Sequence, residues 1–249
     1  MKKDFINLSI IIPVYNEENT LLDVLKNIKK LKNFCNLEII VVNDGSTDKT
    51  NKIIEDNKEL FNKSINLNKN LGKGKAVIEG LKNCNLDYVL VQDADLEYDP
   101  QDIKEFIFQI ENFKFDIVLG SRFISNNRTV LNFWHMAGNK FISLLFNIIN
   151  NTTFSDIYCC YFMFKRKDVE VKNLKSFGWG QQAEILTFVT NKNSKIFEIG
   201  VRYHGRSYAE GKKIKYYDVF SVIYWILITK IRKFFIWNAE YVDLTKLKK

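Results

Sequence analysis

The chain has 249 residues, 46% hydrophobic and 27% charged, enough to bury a sizeable core in one large domain or a domain with an appendage. Four cysteines without a Cys-X-X-Cys pair, and only two histidines, argue against a zinc site and fit a reducing cytosol. The net charge of +8 is uneven: residues 1–124 carry 17 Lys/Arg against 20 Asp/Glu, and residues 125–249 carry 20 against 9. An acidic half beside a basic half points to a metal–nucleotide site next to a surface that meets anions.

Met1–Asn7 has charge but no long apolar core, so no signal peptide is expected. Leu8–Val14 reads as a buried strand. Glu17–Lys32 reads as an amphipathic helix with Leu21, Leu22, Leu25 and Ile28 on one face. Leu37–Val42 is a second buried strand, and Thr47–Asn57 a helix opened by Ser46, Thr47 and Asp48 as caps. Ser64–Leu67 predicts a short strand, Lys75–Lys82 a helix and Tyr88–Gln92 a strand. Asp102–Glu111 predicts a helix and Asp116–Gly120 a strand. This rhythm implies a largely parallel sheet flanked by helices.

Beyond about residue 124 the rhythm loosens. Phe141–Ile149 reads as a helix, Tyr161–Lys165 as a strand, Gln181–Thr190 as a helix and Ile196–Val201 as a strand. Asp218–Phe235 reads as one or two helices. Its uncharged core, Val219–Thr229, has eleven residues, whereas a spanning helix needs about 20. Lys230, Arg232 and Lys233 follow, then Phe234, Phe235, Ile236 and Trp237. Apolar, aromatic and basic residues together resemble an interfacial helix; a docking helix with a charged end is the plainer reading. Adjacent Cys159 and Cys160 read as buried packing.

Four predicted strand ends carry unusual chemistry. The first is Tyr15, Asn16 and Glu17, an aromatic with amide and carboxylate groups suited to a nucleobase. In the second, Gly45 permits a tight turn and Asp44 can accept from a base or ribose. The third, Asn70–Ala76, places glycines and lysines before a helix, the composition of an anion cradle. The fourth is Asp93-Ala94-Asp95, with Glu97 two residues on, where paired carboxylates suit a hard divalent cation holding phosphate. Alone, each reads as an ordinary cap, flexible loop or acidic turn. In a parallel sheet all four emerge on one edge, where open α/β sheets bind ligands.

The motifs SIIIPVYNEE (Ser9–Glu18), VNDGSTD (Val42–Asp48), LGKGKA (Leu71–Ala76), QDADLEYDP (Gln92–Pro100), GSRF (Gly120–Phe123) and YHGRSYAEGKKI (Tyr203–Ile214) resemble, in order and spacing, the family 2 glycosyltransferases of GT-A fold. The nearest branch is the polyprenyl-phosphate (dolichol-phosphate mannosyltransferase-like) one. The resemblance covers roughly residues 8–230. It implies a GT-A, Rossmann-like mixed sheet, mainly parallel, with amphipathic C-terminal helices. It also implies a catalytic domain over 1–215, split into a nucleotide-sugar half (1–124) and an acceptor half (125–215), before a helical segment at 216–249. Pro13, Tyr15, Glu17 and Asp44 look like base and ribose contacts, and Lys73 lies where the family approaches the donor. Asp93 and Asp95 look like the Asp-X-Asp pair for Mg2+ or Mn2+, with Glu97 as a further ligand. Arg122 and Arg206 look like cationic contacts to acceptor phosphate or donor diphosphate, with Lys212 and Lys213 extending that role.

Two stretches depart from the branch. Where relatives often show DMETCYK, this chain has DIYCCYF (Asp156–Phe162); where they often show GFGFEPE, it has GWGQQAE (Gly178–Glu184). Both lie in the acceptor half.

The implied reaction inverts the anomeric centre of a UDP- or GDP-sugar. A polyprenyl phosphate is already a nucleophilic anion and needs no strong base. A glycan hydroxyl, the alternative acceptor in surface polysaccharide synthesis, needs one, and Asp156 and Glu184 are the candidates. A cytoplasmic enzyme held peripherally at a membrane follows from the basic second half; a second copy of the chain is the other candidate occupant of the apolar tail. A nucleotidyltransferase would need a basic glycine-rich loop where Tyr15–Glu17 stands. A nucleic-acid binder is disfavoured because the acidic first half would repel phosphates.

Overall fold

The computed structural model describes residues 5–124, 132–205 and 218–246, with side chains described as far as Trp237. Its centre is β1 (Asn7–Val14), an apolar strand buried over nearly its whole length. It pairs in parallel with β2 (Asn36–Asn43) from Asn7 opposite Asn36 to Val14 opposite Asn43, and with β4 (Tyr88–Val91) on the other side. Strand β3 (Lys63–Asn66) extends the sheet beyond β2, again in parallel. Strand β6 (Phe162–Lys165) is antiparallel to both β4 and β5 (Ile117–Ser121), and β7 (Ile196–Gly200) closes the far edge parallel to β5. The order is β3-β2-β1-β4-β6-β5-β7. Six of these seven strands therefore share one direction, and β5 delivers its C-terminus to the same edge as β1–β4.

Side chains alternate across a strand, and β1 divides the core accordingly. Leu8, Ile10 and Ile12 face α1 (Leu21–Lys29), α2 (Thr50–Asp56) and α4 (Ile103–Phe113), whereas Ile11 faces α3 (Lys73–Lys82). The second face also receives α5 (Phe133–Asn150), α6 (Gln181–Val189) and α7 (Asp218–Lys246), the last through Val222 and Ile226. The β-α-β part of the expected pattern holds, and the fold is the expected mixed α/β one. No helix among the described residues is long and apolar enough to cross a membrane.

Several local expectations change. The inward stripe of α1 is Leu21, Val24, Leu25 and Ile28; Val24 takes the place given to Leu22, as an i, i+3, i+4, i+7 face requires. Helix α2 starts at Thr50, later than predicted, because Asp48 Oδ1 accepts from Thr50 N and holds residues before it in a loop. Helix α5 starts at Phe133, and α7 runs on as one helix to Lys246. Arg206, Lys212 and Lys213 lie outside the described residues.

Candidate active site

The C-terminal ends of β1, β2, β4 and β5 converge on a cavity of about 290 Å3. Pro13, Tyr15, Glu17, Asp44, Lys73, Asp93, Asp95, Glu97 and Arg122 all line it. Each was expected from sequence.

The first two loops are knitted together. Asn16, at φ +52°, donates N–H to Ser46 Oγ (3.0 Å) and accepts from Thr47 N (2.8 Å) through its side chain. Glu17 N donates to Thr50 Oγ1 at 3.0 Å. The two oxygens of Asp44 accept from Leu71 N and Gly72 N, each at 2.9 Å, so the buried carboxylate pins the glycine-rich loop.

The glycines of that loop serve close backbone approach. Gly72 has φ +95°, and a Cβ there would lie 2.7 Å from Phe177 O; one on Gly74 would lie 2.5 Å from Ser176 O. Lys75 N donates to Phe177 O, and Lys73 opens α3. Gly72→Ala is accordingly expected to lose about 2 kcal/mol, through left-handed strain and the clash. A urea titration checks this; unchanged stability would show that the loop relaxes freely.

At the end of β4, buried Gln92 donates to Asp93 O (3.0 Å) and accepts from Tyr161 Oη (2.8 Å), which orients the Asp93–Asp95 turn. Leu96 completes the turn at φ +60°, a conformation costing a non-glycine residue about 1 kcal/mol. Such strain is held where surrounding structure over-determines it. Lys73 Nζ lies 2.6 Å from Asp93. Burial works against the Lys73 ammonium, but Asp93, with Cys160 and Asp95 beyond it, more than offsets this and holds the group above its ordinary range.

Asp93 and Asp95 fit a hard divalent cation: two oxygen donors on a cavity wall, leaving the remaining coordination to phosphate oxygens and water. Glu97 is less committed to that role. Its N–H donates to Asp95 Oδ1 (3.1 Å) and its carboxylate accepts from Tyr203 Oη (3.0 Å). Among the described residues no three His, Cys, Asp or Glu side chains form a group that could hold a metal ion.

Arg122 enters from the end of β5. Asp156 grips it at Nε and Nη2 (2.8 Å each) and accepts from its backbone N–H at 3.1 Å. Asp156 is fully buried and does not line the cavity. Its own loop is fixed by Glu198, which accepts from Ser155 N at 3.0 Å and Asp156 N at 3.3 Å. The Arg122 guanidinium lies 5.2 Å from the Tyr203 ring centre, and Tyr203 packs on Tyr98 at 5.1 Å. Burial opposes the Arg122 charge, yet neighbours including Tyr98 and Asp156 hold its pKa well above the ordinary value.

Glu184 is not brought to the site. It is fully buried and accepts from Lys175 N, Ser176 N (2.8 Å) and Arg232 (2.8 Å). It thereby fixes the segment that presents Phe177 to the glycine loop and Trp179 to the cavity.

Sequence reasoning passed over Tyr98, Tyr158, Cys160, Trp179 and Tyr203 on the cavity wall, and Gln92 beneath it. Cys159 is core packing as expected, but Cys160 reaches the cavity near Lys73. Tyr98 and Tyr203 sit within the quoted motifs. A tryptophan between two glycines was the signal for Trp179: a Cβ on Gly180 would lie 2.3 Å from Trp225 of α7.

Residues 9–171 match the family described as Glycosyl transferase family 2. The chain belongs to that family. It is a glycosyltransferase of GT-A fold, with the following likenesses. The chain is 32% identical over 224 residues to an uncharacterised protein of Methanocaldococcus jannaschii, covering 82% of this chain and 93% of that protein. It is also 32% identical over 229 residues to the dolichol-phosphate mannosyltransferase of Pyrococcus furiosus, covering 88% of this chain but 64% of the longer relative. A poly-beta-1,6-N-acetyl-D-glucosamine synthase of Staphylococcus aureus is 39% identical over 118 residues, 46% of this chain and 27% of that one. The fold of this glycosyltransferase is shared with glucosyl-3-phosphoglycerate synthase from Mycobacterium tuberculosis, solved with Mn2+, UDP and phosphoglyceric acid (TM-score 0.66, 16% identity, 91% of this chain, 78% of that one).

Proposed function

We propose that this glycosyltransferase moves a sugar, with inversion, from a UDP- or GDP-sugar to a polyprenyl phosphate at the cytoplasmic face of a membrane. One observation carries the acceptor assignment: the two candidate bases for a hydroxyl acceptor are both engaged away from the cavity. Asp156 grips Arg122, and Glu184 is sealed among backbone N–H groups and Arg232. What faces the cavity in their stead is a guanidinium, the group suited to a phosphate. An anionic acceptor brings its own nucleophile and needs a cation to hold it.

On the donor side, Pro13, Tyr15, Glu17 and Asp44, which line the cavity together, border the base and ribose. Asp93 and Asp95 would hold Mg2+ or Mn2+, which when bound supplies positive charge for the departing diphosphate. Lys73, above its ordinary pKa, keeps a second positive charge beside that position. Arg122 fixes the acceptor anion across the cavity, and Tyr98, Tyr203 and Trp179 narrow the space left for water. Arg206 joins the acceptor contacts in this reading. The Pyrococcus relative's name supports the lipid-phosphate class. The Staphylococcus relative favours the second reading, a glycan hydroxyl acceptor, through the matched half.

Thermal stabilisation by UDP-, GDP-, CDP- and dTDP-sugars with Mn2+, followed by transfer assays, tests both. Stabilisation by one nucleotide series and transfer to a polyprenyl phosphate is the expected result. Transfer only to a glycan would overturn the acceptor reading, and no stabilisation by any of them would overturn the donor reading.

A further inference from the structure

The three acidic side chains of the Asp93–Glu97 turn differ in what holds them. Asp95 Oδ1 accepts from the Glu97 N–H at 3.1 Å, and Glu97 accepts from Tyr203 Oη at 3.0 Å; both donors are neutral. Asp93 is held by a cation. Lys73 Nζ lies 2.6 Å from Asp93 Oδ1 and 2.8 Å from Oδ2, so the ammonium sits across the mouth of the carboxylate and engages both oxygens. The Lys73 side chain is 23% exposed and that of Asp93 17%, so water and salt screen the pair weakly.

An ammonium and a divalent ion compete for such a carboxylate. Both are compact, strongly hydrated cations that take oxygen partners. Asp93 cannot present both oxygens to Lys73 and to an ion at once, and two cations side by side repel. The backbone is fixed around both residues. Gly72 N is pinned by Asp44, Lys75 N donates to Phe177 O, and Gln92 holds Asp93 O. An exchange of partners is therefore a swing of the lysine's four-carbon stem, inside the cavity that Lys73, Asp93 and Asp95 line together.

We propose that Lys73 is an internal competitor for the divalent ion. It closes Asp93 to the metal until a donor diphosphate draws the ammonium away, so ion and nucleotide bind as a coupled pair. The diphosphate supplies what both cations need: a second anionic partner for Lys73 and further oxygen ligands for the ion. Linkage makes the effect reciprocal, with nucleotide tightening the ion by the factor by which the ion tightens nucleotide. Until then Lys73 keeps Asp93 from standing as a partly buried, unpaired charge. The inference rests on the proposed assignment of Asp93 and Asp95 to Mg2+ or Mn2+.

The test measures Mn2+ binding to the full chain directly, by loss of the free-ion paramagnetic resonance signal, without nucleotide, with UDP and with GDP. In the wild type, UDP or GDP is expected to tighten Mn2+ at least about tenfold. Lys73→Met keeps most of the stem and removes the ammonium. Without nucleotide it is expected to bind Mn2+ at least about tenfold more tightly than wild type, and with saturating nucleotide less than about threefold more tightly, so the coupling shrinks. Lys73→Gln is expected to behave alike, and a cooperative thermal melt shows each variant folded. An equal gain with and without nucleotide would mean that Lys73 acts only as a distant charge, and would overturn the proposal. So would unchanged or weaker Mn2+ binding by both variants without nucleotide, or no effect of either nucleotide on Mn2+ in the wild type. Mn2+ bound by neither wild type nor variants, even with nucleotide, would remove the metal assignment itself and the proposal with it.

Discussion

Asp156→Asn is expected to lower kcat/KM for the acceptor by about 100-fold while leaving nucleotide-sugar binding unchanged, because the loss acts through Arg122. The carboxylate makes two side-chain bonds to the guanidinium at 2.8 Å from a fully buried position. An amide keeps the shape but removes the charge that holds the fork in place, and bidentate recognition tolerates little misplacement. Removing the side chain is harsher: Asp156→Ala leaves a largely buried arginine unpaired, a loss of about 3–5 kcal/mol in stability. A double-mutant cycle separates positioning from base catalysis. If Asp156 positions Arg122, then Arg122→Ala and Asp156→Asn together cost little more than the larger single change. Independent, additive losses, with an acidic limb of the pH–rate profile that vanishes in Asp156→Asn, would make Asp156 the base and restore the hydroxyl-acceptor reading.

Asp95→Ala is expected to reduce turnover by about 10³-fold, the scale of removing a principal electrostatic stabiliser from a developing anion, and to weaken the activating effect of Mn2+ in a titration. Glu97→Gln serves as its contrast. Glu97 faces the same cavity but accepts from Tyr203 Oη at 3.0 Å, and an amide oxygen retains that bond. Its expected loss is less than about tenfold. Equal losses at the two positions would mean that Glu97 moves into the metal shell when donor and ion bind. Asp93→Asn is expected to resemble Asp95→Ala in turnover, and it also releases Lys73 from its partner at 2.6 Å.

The first half of the cavity was legible because its chemistry is local. Strand, turn and carboxylate are consecutive in Val89–Asp95, and parallel strands in a β-α-β chain must end on one edge. Nine expected residues consequently meet at one cavity. The second half of the chain was less legible, since its pairs are distant in sequence. Asp156 meets Arg122 across 34 residues and Arg232 meets Glu184 across 48. No periodicity announces such contacts. Both carboxylates had the right chemical type for a base, and only burial shows where their lone pairs are used.

For α7 the sequence shows the composition of the helix but not which face it buries. Sequence places aromatic, aliphatic and basic residues within one helical stretch, and 3.6-residue periodicity puts Phe220, Tyr224, Leu227 and Ile231 on a common face. Which face meets the protein depends on what α5 and α6 offer. They offer a buried carboxylate, an amide and the open carbonyls of a helix end, and these draw the cations inward. The sequence by itself determined the family, the sheet-edge cluster and the Asp93/Asp95 pair, because these follow from nearest-neighbour chemistry and strand direction. Only the tertiary structure decided that Asp156 and Glu184 serve as anchors and that α7 turns its apolar side outward. A buried charge is stable only beside its partner, and the partner's position is a property of the fold.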